Sequence, residues 1–427
     1  MEYFERILFE QIKRWIDRRE IITIKGPRQS GKTTLLEMTR EWLLKKGIKE
    51  ENIIYTTFED REALEKFSLN PKDFVRRFVS EEEKYYFLID EVHYCKDVGQ
   101  KLKLLYDLYK NVKFIITGSS SLEITSETAK FLVGRMFSFE LLPFGFYEFL
   151  LTKDKKLAKI FLERKEKINK FIFEGKDFEI KNDIFINEFL KYLDEYLVYG
   201  GYPEVLKAKK EDEKKIVLKN IFNTYLEKDI VSYLQLTDTI KFRKLVSSLS
   251  FLIGNMISYD KLVSSCNSYF KEIIHMLDVL QQTYIIKLLR PFRKNLVTEL
   301  RKNPKVYFFD YGTRNYSINN FNSIFFRNDA GFLAENFVSN EIETENFLIN
   351  FWRTTAKAEV DFVLSSTNEI IPIEVKFENF KREEITRSMR SFIEAYKPKC
   401  ALILTKDYWG EMIVNKTKIK FVPVCYV

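Results

Sequence analysis

GPRQSGKT, residues 26–33, decides how the first third of this 427-residue sequence folds. It matches the pattern GxxxxGK[ST] and lies between a short apolar strand pattern, IITIK at 21–25, and a helical pattern that begins at Thr33. Glycines let the backbone curl around a chain of phosphates with successive N–H groups pointing inward, and the N-terminus of the next helix adds a favourable dipole. The motif therefore predicts a site for a nucleoside triphosphate.

The side chains of this loop have separate predicted roles. Lys32 is expected to reach the β- and γ-phosphates, and the hydroxyl of Thr33 to ligate the Mg²⁺ that bridges them. The predicted cofactors are accordingly a nucleoside triphosphate and Mg²⁺, and the choice of ATP depends on the family resemblance described below. The alternative is a glycine-rich turn that carries Lys-Thr by chance. The full predicted nucleotide-binding set is Gly26, Pro27, Arg28, Gln29, Ser30, Gly31, Lys32, Thr33, Thr34 and Ser119.

A buried strand pattern, YYFLIDE at 85–91, ends in two carboxylates. In a parallel sheet the carboxyl ends of the strands face the nucleotide crevice. Asp90 is therefore predicted to hold the magnesium shell and Glu91 to polarise the attacking water. Two acids at the end of a strand also occur as the start of an ordinary loop, which is the alternative interpretation.

The next strand pattern, VKFIITG from 112, ends in Thr117 and is followed closely by Ser119. Either side chain is a candidate sensor of the γ-phosphate, and a turn-forming polar cluster is the alternative. Arg135, in LVGRMF, is a candidate arginine finger that would neutralise transition-state charge in cis or from a neighbouring subunit. A surface ion pair is the competing explanation for Arg135.

Strand patterns at 21–25, 52–58, 85–91 and 112–121 alternate with helical patterns. Strands that are apolar on both faces and separated by helices are typical of a parallel sheet covered by helices. The first 150 residues therefore read as α/β. At 427 residues the chain is longer than a single hydrophobic core normally supports, so several domains are expected.

Composition excludes bulk disorder, because 45% of the residues are hydrophobic and 31% are charged. The net charge of +8 favours polyanionic partners only mildly over this length. The N-terminus lacks an apolar signal core, and no run of about 18 apolar residues occurs. We therefore expect a cytoplasmic protein with no membrane segment.

Few residues are available for a metal site of nitrogen and sulfur ligands. The two histidines are placed away from both candidate clusters and receive no catalytic role. Because the cysteines lack CxxC spacing, we predict neither zinc nor disulfides. The residues in question are Cys95, Cys266, Cys400, Cys425, His93 and His275.

Several motifs follow one another in an order that resembles a known family. They are GPRQSGKTTLL, FLIDEVH, FIITGSSS, LVGRMFSFELLPFGFYEFL, YGGYPEV and YLEKDIV. The ordered set is similar to prokaryotic AAA+ superfamily ATPases that carry a nuclease-like C-terminal domain, and it spans nearly the whole chain. The resemblance also implies adenine as the base. The sequence departs from the family at Ser30, where an apolar residue is usual.

This resemblance implies the fold class α/β: a parallel-sheet P-loop ATPase core, a helical lid and winged-helix region, and a C-terminal restriction-endonuclease-like α/β domain. The expected boundaries are 1–150 for the core, 151–237 for the lid, 238–302 for the winged-helix-like domain and 303–427 for the nuclease-like domain. The last part includes the strand pattern KVYFFD near 305.

The C-terminal strand patterns carry a second candidate site. Asp361 lies in EVDFVL (359–364), and Glu374 and Lys376 alternate in IPIEVKF (371–377), so both project from one face. Carboxylates can bind Mg²⁺, and a lysine can orient a water or steady developing negative charge. The predicted catalytic residues here are Asp361, Glu374 and Lys376.

The same spacing resembles PD-(D/E)xK nucleases, including Holliday-junction resolvases. The resemblance places Glu335, in LAENFVSNEI, at the extra helical acid of the resolvases, with Glu359 as a substitute acid. The predicted metal ligands are thus Glu335, Asp361 and Glu374 in this domain, and Thr33 and Asp90 at the loop. A solvated sheet face, or a nuclease fold that has lost catalysis, is the alternative.

Two functions follow as hypotheses. In the first, an ATP-hydrolysing AAA+ ATPase is coupled to the nuclease-like domain and acts on DNA. In the second, ATP drives a molecular switch whose C-terminal domain only binds a nucleic-acid or protein partner. A homo-oligomer is a possible assembly in either case. Trp352 and Arg353 are candidates for nucleic-acid contact, with a tryptophan at the edge of the core as the alternative.

Overall fold

The computed structural model describes residues 3–118, 129–179, 183–224, 239–292, 303–342 and 347–427. Ser119, a predicted nucleotide-binding residue, lies outside these ranges. The chain divides into two compact units. The first comprises Met1–Phe144, Tyr202–Glu204 and Gln282–Tyr284, and the second Gly145–Gly201, Val205–Gln281 and Ile285–Val427.

A five-stranded sheet forms the centre of the first unit. Its strands are β1 Ile21–Lys25, β2 Ile53–Thr57, β3 Tyr85–Asp90, β4 Val112–Gly118 and β5 Met136–Glu140. They lie in the order β2-β3-β4-β1-β5, and each neighbouring pair is parallel. The predicted parallel α/β arrangement of the first 150 residues is confirmed.

Alternation along β3 shows why the sheet is buried on both faces. Phe87 and Ile89 belong to one apolar cluster, and Tyr86 and Leu88 to another, as expected when successive side chains point to opposite faces. Residues of the other strands and of the covering helices and turns supply the rest of both clusters. Among the residues that the structure describes, the helices of this unit are Ile7–Trp15, Lys32–Lys45, Arg61–Leu69, Pro71–Arg76, Val98–Leu108 and Ala129–Leu132, with 3₁₀ turns at Glu50–Asn52 and Val92–Tyr94.

The second unit begins with helices. The long helix Lys155–Glu174 starts where Asp154 accepts from the backbone N–H groups of the first turn, and it stops at Gly175, whose φ is 69°. The other helices are Phe146–Lys153, Ile186–Tyr199, Pro203–Lys207, Glu211–Thr224, Thr239–Phe251, Tyr259–Cys266, Phe270–Gln282, Tyr311–Ser317, Ala330–Glu341 and Arg387–Tyr396, with 3₁₀ turns at Ile324–Phe326 and Val424–Tyr426.

The paired glycines of YGGYPEV meet a buried aspartate. The backbone N–H of Gly201 donates to Asp310 Oδ2 at 2.9 Å, and a Cβ on Gly200 would lie 2.1 Å from the same oxygen. Gly200 also has a φ of 77°, which favours glycine. This motif therefore permits the close approach of Asp310 to the end of helix Ile186–Tyr199.

Helices Thr239–Phe251, Tyr259–Cys266 and Phe270–Gln282 precede a two-stranded antiparallel ribbon of β6, Ile286–Leu289, and β7, Lys305–Phe308. The sequence grouped β7 with the C-terminal α/β unit, but its hydrogen-bonded partner is β6. Periodicity reveals that a segment is a strand, whereas pairing depends on contacts distant in sequence, which explains the difference.

The six-stranded sheet of the second unit is mixed. Its strands are β8 Leu348–Arg353, β9 Glu359–Ser365, β10 Ile370–Lys376, β11 Cys400–Thr405, β12 Gly410–Val414 and β13 Thr417–Pro423, in the order β12-β13-β11-β10-β9-β8. β10–β11 and β11–β13 are parallel pairs, and the other three are antiparallel. None of the helices within the described ranges is long and apolar enough to span a bilayer.

Candidate nucleotide site and a charged cluster on the C-terminal sheet

Two glycines shape the loop between β1 and helix Lys32–Lys45. Gly26 has a φ of 155°, and a Cβ there would lie 2.1 Å from the carbonyl oxygen of Leu141. Gly31 has a φ of 97° and directly precedes the first helical residue. A residue with a side chain would be strained in either backbone conformation, which explains why both positions of the motif are glycine.

Lys32 is buried beneath this loop, with 4% of its surface exposed. Its ammonium donates to the carbonyl oxygens of Gly26, at 3.1 Å, and Pro27, at 2.9 Å. Carbonyl oxygens are weaker acceptors than charged phosphate oxygens. The lysine is thus held at the loop by contacts that a phosphate can replace.

The carboxylate of Asp90 joins the helix start to the neighbouring strand. Thr33 Oγ1 donates to Asp90 Oδ2 at 2.6 Å, and the hydroxyl of Thr117, on β4, donates to Oδ1. Asp90 is 4% exposed and Thr117 is fully buried. The predicted magnesium-shell residues Thr33 and Asp90 therefore lie together, and Thr117 fixes the orientation of the carboxylate.

Glu91 follows with a left-handed backbone, φ 51°, which is uncommon outside glycine. Its N–H donates to Thr117 Oγ1 at 3.1 Å, and its Oε2 lies 3.0 Å from His93 Nδ1. Burial acts to raise the pKa of Glu91, but His93 and the cations Lys32 and Arg28 outweigh it and leave that pKa below its usual range. Glu91 is therefore kept ionised beside the P-loop.

The prediction that His93 lies away from both clusters is wrong. The 3₁₀ turn Val92–Tyr94 folds the chain back immediately after β3, so the imidazole reaches the side chain two residues earlier. His93 Nδ1 is the atom that faces Glu91, and the ring also packs on Tyr94 at 4.3 Å between centroids. The acid that is the candidate activator of water thus has an orienting partner on its own turn.

Arg135 precedes β5, and its Nε lies 3.2 Å from Asp107 Oδ1 on helix Val98–Leu108. The side chain is 34% exposed. The ion pair that the sequence left open as an alternative is therefore present. The role of Arg135 as an arginine finger toward a neighbouring subunit stays a proposal.

The donor set at the loop fits a nucleotide with Mg²⁺. Thr33 and Asp90 present a hydroxyl and a carboxylate 2.6 Å apart, and oxygen donors of this kind are the ones Mg²⁺ prefers. Lys32 and the N-terminus of its helix supply positive potential for phosphates. Bound there, Mg²⁺ would neutralise charge on the β- and γ-phosphates.

The C-terminal candidates also come together. Lys376 Nζ lies 3.0 Å from Glu374 Oε1, as their alternation on β10 predicts, and Thr386 Oγ1 donates to Glu374 Oε2 at 2.8 Å. The backbone N–H of Val375 donates to Asp361 Oδ2 at 2.8 Å, which ties β9 to β10 at this point. Burial raises the pKa of Glu374, with Lys376 acting in the opposite direction.

A lysine that the sequence analysis did not single out lies inside this cluster. Lys305 Nζ, from β7, is 2.6 Å from Glu359 Oε1, 3.4 Å from Glu335 Oε2 and 3.7 Å from Asp361 Oδ1. Its side chain is 2% exposed. Burial acts to lower the pKa of Lys305, but the three carboxylates outweigh it and raise that pKa. The ammonium therefore stays charged among the acids.

Glu335 and Glu359 complete the cluster. Glu335, on helix Ala330–Glu341, accepts from Tyr307 Oη at 3.1 Å. Burial and the nearby Asp361 raise the pKa of Glu335 to about 8, although Lys305 acts against them. Glu359 also accepts from Arg353 Nη1 at 2.7 Å. Glu335 and Glu359 are therefore adjacent, and each has a cationic partner.

Trp352 belongs to the core of the C-terminal sheet. It is 7% exposed and packs edge-on against Phe392 at 5.2 Å between ring centroids. This matches the core-edge alternative rather than a free stacking surface.

Three family models match separate parts of the chain. An AAA domain family matches residues 18–150. We call residues 18–150 the AAA domain after this match. The P-loop and the Asp90–Glu91 strand end both lie within it. Two domains of unknown function, DUF8612 and DUF4143, match residues 190–323 and 330–424.

Two relatives that match most of the chain are both described as uncharacterized proteins. An uncharacterized protein of Haemophilus influenzae is 26% identical over 98% of this chain and 96% of its own length. An uncharacterized protein of Methanocaldococcus jannaschii is 26% identical over 88% of this chain and 79% of its own.

Solved structures resemble the chain only loosely. The Drosophila ORC bound to DNA shares 14% identity with a TM-score of 0.29, over 73% of this chain and 94% of that one. AMPPCP-bound DnaA from Aquifex aeolicus shares 15% identity with a TM-score of 0.27, over 66% and 89%. Function must therefore be argued from the residues of this chain.

Proposed function

We propose that the AAA domain binds and hydrolyses ATP, and that the nucleotide state controls how the rest of the chain engages a partner. The observation that carries this proposal is the chain of hydrogen bonds from Thr33 through Asp90 to Thr117 beside the P-loop, because it presents oxygen ligands where the terminal phosphates would lie. The match of residues 18–150 to an AAA domain supports the same chemistry.

In this proposal each side chain has a defined task. Lys32 leaves the carbonyls of Gly26 and Pro27 for the β- and γ-phosphates. Thr33 and Asp90 hold Mg²⁺. Glu91 polarises the lytic water, and His93 holds the carboxylate in position by its contact at 3.0 Å.

The direct test replaces Glu91 by Gln, which keeps the shape of the side chain and removes its charge. We expect ATP binding to persist while turnover falls by roughly 10²-fold or more, as for loss of a general base. Glu65→Gln, an exposed position in the same unit, is the matched control and should leave turnover unchanged. Turnover by Glu91→Gln at the control rate would refute the assignment of Glu91.

The proposed output is a switch in binding. Arg135 would act toward a second copy of the chain, and ATP would change assembly or affinity for a DNA or protein partner. The test measures self-association by sedimentation with ATP and without it, comparing the unsubstituted chain with Arg135→Ala. ATP-dependent assembly that Arg135→Ala retains in full would remove the arginine from this role.

A metal-dependent nuclease acting on DNA is the second candidate function. It is favoured by the adjacency of Glu374, Lys376 and Asp361 on neighbouring strands. The helices at 239–282 followed by the β6–β7 ribbon support a winged-helix-like element that would hold DNA through its phosphates. In that proposal the C-terminal domain has a restriction-endonuclease-like fold.

The nuclease proposal is tested on labelled linear, supercoiled and branched DNA with Mg²⁺ or Mn²⁺, with and without ATP. Cutting that disappears in Asp361→Ala would support it. Cutting that persists in Asp361→Ala would assign the activity to another source. No cutting on any substrate, together with intact ATP turnover, favours the switch.

A further inference from the structure

Lys305 occupies an unusual place for a lysine. It is buried on a short ribbon strand, and its ammonium contacts carboxylates from two other elements: helix Ala330–Glu341, through Glu335, and β9, through Glu359 and Asp361. Buried charges are retained when they are paired in this way. The lysine is therefore an electrostatic link between the ribbon, a helix and the six-stranded sheet.

The position of this ammonium conflicts with a magnesium ion at the predicted ligands. Mg²⁺ needs carboxylate oxygens at about 2.0–2.1 Å in near-octahedral geometry and keeps several waters. Lys305 Nζ already lies within 3.7 Å of both Glu335 and Asp361. A divalent cation at these oxygens would lie against a buried positive charge.

The charges of the cluster are already nearly balanced. The acids are Glu335, Glu359, Asp361 and Glu374, and the cations in contact with them are Lys305, Arg353 and Lys376. Within the part of the chain that the structure describes, no group of three or more histidine, cysteine or acidic residues is arranged to hold a metal ion. The donor set at this sheet therefore does not fit a resident Mg²⁺.

We propose that the Lys305 ammonium is the permanent counter-ion of the C-terminal acid cluster, in the place where the nuclease-like sequence pattern predicts Mg²⁺. In this proposal the cluster is a structural joint that binds no divalent metal while Lys305 is present, so the proposal is incompatible with the second candidate function, a metal-dependent nuclease at the same acids. Removal of this lysine together with its closest carboxylate partner, Glu359, leaves Glu335, Asp361 and Glu374 as an acidic set that a divalent cation can enter.

The test measures Mn²⁺ binding by electron paramagnetic resonance in the full chain, without nucleotide. Every protein carries Asp90→Asn, so that the AAA domain contributes no carboxylate site. We expect no bound Mn²⁺ when Lys305 is present, and one bound ion in the Lys305→Met/Glu359→Gln variant that is lost again on adding Asp361→Asn. Lys113→Met is the matched control, because Lys113 is equally buried but donates to the carbonyl oxygens of Trp15 and Arg18.

Two results would overturn the proposal. One is a stoichiometric Mn²⁺ site in the protein that retains Lys305, removed by Asp361→Asn. The other is a folded double variant that gains no site, which would show that the lysine does not stand in for a metal. The Mn²⁺ measurement on the protein that retains Lys305 leaves the cluster intact. It therefore tests the proposal even where the double variant does not fold.

Discussion

Asp90 in the AAA domain and Asp361 on the C-terminal sheet are both buried acids at predicted metal sites, but their partners differ in charge. Thr33 and Thr117 hold Asp90 with neutral hydroxyls, and no cationic side chain among the described residues forms an ion pair with it. Asp361 and its neighbouring acids instead share a buried lysine, Lys305.

This difference distinguishes a metal-binding site from a structural cluster when both contain the residues that the sequence motif requires. A carboxylate oriented by hydroxyls keeps its charge available for an incoming cation. A carboxylate that contacts an internal ammonium has that charge compensated already, and removal of the ammonium leaves buried charges unpaired. The following predictions test this distinction, from the largest expected effect to the smallest.

Lys305→Met should destabilise the fold by about 3–5 kcal/mol, because it removes one partner of a buried ion-pair cluster. Lys399→Met is the control: Lys399 also forms an ion pair, with Glu369 at 3.1 Å, but its side chain is 84% exposed. That substitution should cost about 0–1 kcal/mol. Urea unfolding measures both, and equal costs would contradict the structural role of Lys305.

Lys32→Ala should reduce ATP turnover by roughly 10²–10³-fold, about 2.7–4 kcal/mol, because it removes a cation aimed at charge that develops in the transition state. Lys45→Ala, at the exposed end of the same helix, controls for changes in helix charge and should have little effect. Unfolding should remain close to normal in Lys32→Ala. If Lys32→Ala lost as much unfolding free energy as Lys305→Met, Lys32 would have a structural role like that of Lys305.

Much of the AAA domain was predictable because its signals are local. The strand, glycine loop and helix around Lys32 are contiguous, and β3 ends at the acids that the motif requires. The alternation of Glu374 and Lys376 is local too, and their contact at 3.0 Å follows from it.

Lys305 could not be recognised from the sequence because its partners are 30 or more residues away and on different elements. The sequence KVYFFD predicts one more apolar strand, and Lys305 has the position of a polar residue at the start of that strand. His93 was missed for a different reason: the turn that brings it to Glu91 spans only three residues, too short for periodicity to indicate. A histidine two residues after the second acid was the signal that could have been used.

His93→Ala should lower kcat with little change in KM, because it removes an orienting contact to a charged acid. A contact of a polar group with a buried charged acid contributes about 1.5 kcal/mol, which corresponds to a loss of about tenfold. His93→Gln, whose amide can donate, should recover part of the rate. His275→Ala, the other histidine, is exposed on helix Phe270–Gln282 and serves as the control. Equal losses in kcat for His93→Ala and His93→Gln would argue for packing alone.

The two clusters should also respond oppositely to pH. In the C-terminal cluster, burial and Asp361 raise the pKa of Glu335 to about 8, whereas the pKa of Glu91 in the AAA domain is lowered. A raised acid pKa means that the folded chain binds the proton more tightly than the unfolded chain does. The stabilisation is complete below the usual pKa and is lost as pH rises through about 8.

Glu335→Gln removes that proton while keeping a group that can accept from Tyr307 Oη and face Lys305. We expect the difference in unfolding free energy between the unsubstituted chain and Glu335→Gln to fall as the pH rises from 5 toward 8. For Glu91→Gln the corresponding difference should rise with pH from the acid side, since the folded chain favours the ionised form. Urea unfolding between pH 5 and 8 measures the first difference, and urea unfolding below the usual glutamate pKa measures the second. Differences that change in the same direction would show that the two clusters are not electrostatic opposites.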